Sequence, residues 1–388
     1  LDNLILHTYT KQITIKIITM DFSTKLTELK QNYLYRSRKT LASAQDVDIV
    51  INGKSLVNFC SNDYLSLANH PEVKVALKQG IDEYGAGSGS SHLVSGHSKA
   101  HHELEEVLAD YTGQQRALLF STGYTANLGV FSALKDELNW ILQDKLNHAS
   151  LIDGNQLTGL PLQRYLHNNL NSLEKKAAKQ SGTGMIVTDT VFSMDGDSAN
   201  IDDLQKIGNF SNAILMQDDA HGFGVFEPNI PENSIYMATL GKAAGAMGAF
   251  VAGNDDFIEF LIQKSRPYIY TTAISPAICV ATLKSLELIK KGEQKTKLLT
   301  NIDFFRNFSS AINLPISDSR SAIQPLIIGN SEKVLDISQT LFEQGFYVSA
   351  IRPPTVPKGT ERLRITLNAN HTQNQIEQLL TQIKHALQ

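Results

Sequence analysis

Four short apolar runs constrain the architecture of this chain more than any other feature. They are R-A-L-L-F (Arg116 to Phe120), N-W-I-L-Q (Asn139 to Gln143), G-M-I-V-T-D (Gly184 to Asp189) and A-I-L-M-Q-D (Ala213 to Asp218), each bounded by polar or turn residues. They are apolar almost throughout rather than alternating, so such strands need cover on both faces. Helical stretches between them supply that cover. The combination predicts an α/β fold with a mainly parallel sheet, and it places ligands at the carboxyl ends of the strands.

The pattern changes along the chain. Phe22 to about Ala44 reads as a helical arm, and S-L-V-N-F (Ser55 to Phe59) as a short strand. Ser98 reads as the N-cap of a helix, and Thr372 with Gln375 as a capping box for the last one. Beyond a helix-rich stretch near 276–313, shorter strand-like runs suggest a small α+β unit. The expected division is an N-terminal arm and strand over 20–60, a large domain over 61–290 and a small C-terminal domain over 291–388. Residues 1–19 are expected to be an upstream extension, with Met20 opening the more conventional segment.

Composition excludes several classes. The 388 residues are 42% hydrophobic and 19% charged, which suits a globular protein long enough for a large core. Lys and Arg number 35 against 39 Asp and Glu, and no basic face stands out, which argues against nucleic acid as the main partner. No apolar run reaches a membrane span. Cys60 and Cys279 make no C-x-x-C motif, so neither a disulfide framework nor a structural zinc site is expected, and a cytoplasmic, reducing setting is the default.

Chemistry concentrates where the strands end. Lys242 lies in T-L-G-K-A-A-G-A-M-G, a run of small residues, just over twenty positions after D-D-A-H (Asp218 to His221). A positioned, desolvated lysine forms imines, and pyridoxal phosphate (PLP) chemistry needs such a lysine plus a carboxylate for the ring nitrogen. F-S-T-G-Y-T-A-N is a strand end, a glycine turn and a helix start, where backbone N–H groups favour an anion. Thr239 is placed to add a hydroxyl. The loop G-A-G-S-G-S-S follows a helix rather than a strand, so it is read as a flexible or substrate-facing loop and not as a dinucleotide site. His148 reads either as a capping or packing histidine or as an aromatic lid, and His221 either as a structural hydrogen-bonder or as a functional one. Asp218 and Asp219 supply too few partners for a metal site, and none is expected. Arg362 and Arg364 share one face of a strand, where an inward arginine would suit a carboxylate clamp.

Taken in order, N-F-C-S-N-D-Y-L-S-L, S-T-G-Y-T-A-N, L-N-H-A-S-L, V-F-S-M-D-G-D, D-D-A-H-G-F-G-V, T-L-G-K and Y-I-Y-T-T-A-I-S-P resemble the α-oxoamine synthase family of fold-type I PLP enzymes, from about Tyr33 onward. The resemblance implies a large domain with a mainly parallel seven-stranded sheet, a small α+β C-terminal domain, and a homodimer with shared sites. It implies that Lys242 binds PLP as an imine and moves a proton, that Asp218 pairs with the pyridine nitrogen, and that His148 stacks on the ring. His221 and Ser193 would serve the phenolic oxygen. Gly123 and Tyr124, with Thr239, would hold the phosphate, and Thr271 or Thr272 would reach the phosphate of the partner subunit. Asn62 and Arg364 would bind an amino-acid carboxylate. Arg36, Arg352 and Thr355 would complete the substrate site. The segments S-A-I-Q-P-L-I-I-G and A-I-R-P-P-T-V-P-K-G-T-E-R-L-R-I-T-L resemble the branch that condenses L-alanine with a pimeloyl thioester, on CoA or an acyl carrier protein, in biotin biosynthesis. The implied alternatives are another α-oxoamine synthase, such as a glycine acetyltransferase, or a PLP-binding protein without turnover. Three positions depart from the family pattern: Asp189 for a usual Glu, Phe223 for a small residue and Ala244 for an aromatic one. The stretch between His221 and Lys242 is also short.

Overall fold

The computed structural model describes residues 21–388, so the expected extension over 1–19 lies outside the described residues. The described residues before Lys39 form a unit of their own. Helix α1 (Phe22–Gln31) starts at Asp21, whose carboxylate accepts the N–H groups of Ser23 and Thr24. The helix is shorter than the arm expected to Ala44. Tyr33 takes a left-handed backbone, φ 57°, directly after the cap residue Asn32, and that ends the helix. Further along, Leu41 is drawn into a β-bridge with Ile51.

In the remaining unit, β1 (Asp48–Ile51) and β2 (Lys54–Asn58) form an antiparallel hairpin. Its turn is Asn52-Gly53, both at positive φ (53° and 75°), the conformation that a two-residue hairpin requires. Helix α2 (Pro71–Tyr84) follows. The Gly/Ser-rich loop then contains a π-helical turn at His92–Gly96. Helix α3 (Lys99–Thr112) begins at Ser98 as expected.

Strand and helix then alternate: β3 (Arg116–Phe120), α4 (Gly123–Leu134), β4 (Trp140–Asp144), α5 (Ala149–Thr158), β5 (Gln163–Tyr165), α6 (Leu170–Ala177), β6 (Gly184–Asp189), α7 (Ile201–Phe210), β7 (Ala213–Asp218), β8 (Ile235–Thr239) and β9 (Ala249–Gly253). These strands make one seven-stranded sheet, ordered β3-β9-β8-β7-β6-β4-β5. Only β9 runs antiparallel to its neighbours. Every residue of β4, β6 and β9 is buried, as two covered faces require. Successive residues of β3 pack to opposite sides. Leu118 and Phe120 join Val130, Phe131 and residues of α8 (Asp255–Lys264). Ala117 and Leu119 join Leu104 and Leu108 of α3.

The chain continues through α9 (Arg266–Ile269), α10 (Pro276–Lys291) and α11 (Glu293–Ala311) to β10 (Ile323–Ile327), α12 (Ser331–Glu343), β11 (Phe346–Tyr347), β12 (Ser349–Ile351), β13 (Arg362–Thr366) and α13 (Gln373–Ala386). Strands β10, β13 and β12 form an antiparallel sheet, whereas β11 pairs parallel with β2. The Thr372–Gln375 capping box is present. Phe223 and Ala244, both departures from the family pattern, are buried in one apolar cluster, where Phe223 meets Tyr111 and Phe250 edge-on.

Lys242 sits on the connection between β8 and β9, and glycine holds that connection close to the rest of the fold. Gly245 has φ 64°, and a Cβ there would lie 2.3 Å from the Ala68 nitrogen and 2.5 Å from the Leu67 carbonyl carbon. Both contacts are to backbone, which cannot swing aside. Gly245→Ala is therefore expected to destabilise the protein by ~1 kcal/mol or more. Thermal unfolding measures it, and an unchanged midpoint would show that this loop is not pinned there.

Candidate active site

The parallel strands end at one edge of the sheet, and the side chains singled out by sequence converge there. Gly123, Tyr124, His148, Asp218, His221, Thr239 and Lys242 line one cleft, together with Asn127, Ser150, Asp189, Ala220 and Met237. Each owes its place to a strand end. Asp218 closes β7 and is paired in register with Asp189 of β6 and Met237 of β8. Thr239 closes β8, and His148 is the N-cap of α5, just beyond β4.

Asp218 is buried and well partnered. Its Oδ2 accepts from Asn127 Nδ2 at 2.7 Å, and its Oδ1 accepts the Ala220 N–H at 3.0 Å. Asn127 Nδ2 also donates to Ser150 Oγ at 2.8 Å, and that hydroxyl lies 2.8 Å from His148 Nδ1. The Ser150 N–H points at the same Nδ1, so this nitrogen is an acceptor and the His148 proton sits on Nε2. Burial depresses the His148 pKa, with the Lys242 charge adding to the effect and Asp218 opposing it. The ring is thus a neutral, flat neighbour. Asp219, the other candidate, turns away: its carboxylate takes the Thr190 hydroxyl and the Tyr236 hydroxyl, the latter at 2.5 Å.

Lys242 faces these carboxylates. Burial pushes its amine down to about 8, although Asp218 and Asp189 pull the other way. Asp189 accepts the His148 backbone N–H on Oδ2 at 2.8 Å. Burial, and then the Asp218 charge, hold the Asp189 acid well above the usual carboxylate range.

A second chain of contacts leads away from the cleft. His221 Nδ1 lies 2.7 Å from the Tyr64 hydroxyl, which donates to Asn62 Oδ1 at 3.2 Å. Both terminal nitrogens of Arg364 donate to the same Oδ1 at 3.2 Å. Arg364 is buried, and among the described residues no carboxylate pairs with it. Its neighbour on that strand face, Arg362, is consumed by Asp195 at 2.5 Å and is structural. His221 is kept neutral by burial and by the Lys242 and Arg364 charges.

Other expected residues fall elsewhere. Ser193 offers its backbone carbonyl to Arg364 Nε at 2.6 Å, so its established contact is through the main chain rather than the side chain. Thr271 and Thr272 line a separate surface depression with Leu93, Val94 and Tyr270. Arg352 and Thr355 flank a cis Pro353-Pro354 bond after β12, and the Thr355 N–H donates to the Arg352 carbonyl. Arg36 is exposed in the segment after α1. Asn127, Ser150 and Tyr64 were not singled out from sequence, although each lies inside a motif quoted above. Their roles depend on partners far away in the chain.

The cleft fits PLP. The N–H groups of Gly123 and Tyr124 are the first two of α4 and have no acceptor within the helix. Gly123 and Tyr124 line the cleft, so this helix start faces it as an anion site. The Thr239 hydroxyl already donates to the Gly248 carbonyl at 3.0 Å, so an anion would meet it as a reoriented donor. A carboxylate, a flat neutral imidazole and a partly deprotonated amine complete the donor set.

The Lys242 amine attacks a carbonyl only when neutral, and with its pKa at about 8 the neutral fraction grows as pH rises. The rate at which the PLP-free protein acquires PLP, followed by visible absorbance, is therefore expected to rise with pH and level off above about 8. A rate that stayed flat until the ordinary lysine range would contradict the depressed amine.

The family described as aminotransferase class I and II matches residues 54–383. The 8-amino-7-oxononanoate synthase of Methylococcus capsulatus is 48% identical over 383 residues, covering 95% of this chain and 99% of that protein. The synthase of the same name from Stutzerimonas stutzeri is 49% identical over 375 residues, 94% and 96% of the two chains. Among solved structures, the 8-amino-7-oxononanoate synthase of Francisella tularensis superimposes with a TM-score of 0.73 at 33% identity, covering 86% of this chain and 98% of that one. A serine palmitoyltransferase from S. paucimobilis bound to a PLP–myriocin aldimine gives 0.86 at 27% identity, over 94% and 96%. With its lysine, carboxylate and helix N-terminus gathered in one cleft, the chain belongs to the aminotransferase class I and II family and, within it, to the 8-amino-7-oxononanoate synthases.

Proposed function

We propose that this protein condenses L-alanine with a pimeloyl thioester, on CoA or an acyl carrier protein, and releases 8-amino-7-oxononanoate, CO2 and the free carrier. The observation that carries the reading is 47–49% identity, over nearly the whole chain, to enzymes named for that product. The Arg364 guanidinium, with which no carboxylate pairs among the described residues, agrees with an amino-acid substrate.

PLP, when bound, supplies a carbonyl for amines and a ring that takes up electron density from the substrate carbon. Lys242 would hold it, and its freed amine would remove and later return the proton at alanine Cα as a general base and acid. Asp218, oriented by its bonds to Asn127 and Ala220, would keep a proton at the ring nitrogen. His148 would serve as a flat, neutral neighbour of the ring. The Gly123 and Tyr124 N–H groups and the Thr239 hydroxyl would hold the phosphate, and His221 and Ser193 would serve the phenolic oxygen. Arg364 pairs with the alanine carboxylate while Asn62 orients the guanidinium. On resemblance, Arg36 is assigned to the acyl substrate, and Arg352 and Thr355 to the substrate site. Two copies are taken to share their sites, each lending Thr271 and Thr272 to the other. In support, Val94 and Tyr270 beside these threonines are 79% and 74% exposed. Both cysteines are free thiols, in keeping with a reducing cytoplasmic setting.

Incubating the PLP-loaded protein with L-alanine and pimeloyl-CoA, with mass detection, is expected to yield 8-amino-7-oxononanoate. Product only from glycine and acetyl-CoA would sink the assignment, and a PLP band without turnover would favour a silent binder. Lys242→Ala is expected to lose the imine absorbance. Arg364→Ala is expected to keep it while the KM for alanine rises about 10- to 100-fold, the range for a lost charged hydrogen-bond pair.

A further inference from the structure

Far from the lysine in the chain, the segment His92 to Glu106 carries a second group of ionisable side chains. His92, His97, His101 and His102 crowd the start of α3, and Glu105 lies one turn further along. Their hydrogen bonds sort them. His101 Nδ1 accepts the Ser98 N–H at 3.0 Å, so its Nε2 carries the proton that reaches the Ile274 carbonyl at 2.8 Å, and that ring is fully used. His92 stacks on Tyr268 and places its Nδ1 2.9 Å from His97 Nδ1. One proton lies between those two nitrogens. When His97 supplies it, His97 Nε2 is left with a lone pair.

That Nε2 lies 3.9 Å from Glu105 Oε2. The other Glu105 oxygen is anchored by the Leu119 N–H at 3.0 Å. His102 sits three residues before Glu105 on the same helix face, and its contact is the exposed Glu106 at 3.3 Å. One ligand atom from each of His97, His102 and Glu105 lies within 4.8 Å of the others.

We propose that His97, His102 and Glu105 form a binding site for a first-row divalent metal ion of the zinc class, separate from the lysine cleft.

Two imidazoles and one carboxylate are the donors that such ions take, whereas magnesium and calcium prefer all-oxygen sites. His97 would be held in its ligating tautomer by His92, the outer contact that metal-bound histidines usually have. Glu105 Oε2, which otherwise has only the uncharged His97 Nε2 at 3.9 Å, gains a positive partner. Zinc sits about 2.0–2.2 Å from nitrogen and oxygen donors, so the three groups must close in. His102, 66% exposed, has the freedom to do so. An open fourth position would take water. The ion would tie the His92–Gly96 turn to α3, and that turn borders the depression lined by Thr271 and Thr272.

The test uses untagged, PLP-loaded protein stripped with a chelator and titrated calorimetrically with zinc chloride. The expected result is one ion per chain, with affinity falling at least about tenfold in both His97→Ala and His102→Ala, since even outer-shell losses cost that much. Zinc should also raise the unfolding midpoint of the parent protein and leave that of His102→Ala unmoved. His102 is exposed, so its removal leaves the fold intact. No saturable binding below millimolar zinc, or undiminished affinity in either variant, would overturn the site. Neither readout depends on turnover, so the outcome is independent of the condensation reaction.

Discussion

Burying the Asp218 carboxylate at the end of β7 costs several kcal/mol unless its oxygens find donors, and much of the cleft is arranged around that requirement. Asn127 and the Ala220 N–H supply the donors. Asn127 in turn fixes Ser150, and Ser150 fixes the His148 ring in one tautomer. One amide side chain on α4 thus couples the carboxylate to the histidine across two helices and a strand. Parallel register places Asp189 beside Asp218, and burial leaves Asp189 holding its proton more tightly. The Lys242 amine, itself depressed by burial, completes a cluster whose charges restrain one another.

The glycines near the lysine do two different jobs. Gly245 lets the loop lie against the Leu67–Ala68 backbone, which sets where Lys242 begins. Gly123 opens α4 on the cleft, where an anion belongs, and a Cβ there would make only ordinary contact with Thr239 and Met237. One position excludes a side chain and the other does not, although in sequence both are small residues beside functional ones.

Much of the fold was legible because the sheet strands are apolar along their length and the intervening helices are not. The expectation failed where the signal was local and weak. The arm was read too long because nothing in L-K-Q-N-Y-L-Y announces the left-handed Tyr33. The β1–β2 hairpin was missed, though Asn52-Gly53 is a strong turn signal. At the site, Lys242, Asp218, His148 and Thr239 were found by motif, and they converge. Ser193 was expected near the phenolic oxygen, and its carbonyl also accepts from Arg364. His97, His102 and Glu105 form no recognisable ligand spacing in sequence, because His97 precedes the Ser98 cap and only the fold brings it near the helical pair.

What the sequence determined by itself is the layering and the chemical inventory: covered parallel strands, a lysine and a carboxylate at strand ends, and a glycine at a helix start. These follow from local periodicity and residue type, which need no knowledge of distant contacts. Resemblance already favoured Asp218 over Asp219 and Arg364 over Arg362, but only the tertiary structure supplied the physical reason for each and decided which ring nitrogen of His148 bears the proton. Each of those turns on a partner tens to hundreds of residues away, such as Asn127 for Asp218 or Asn62 for Arg364, and burial makes that partner's presence energetically decisive.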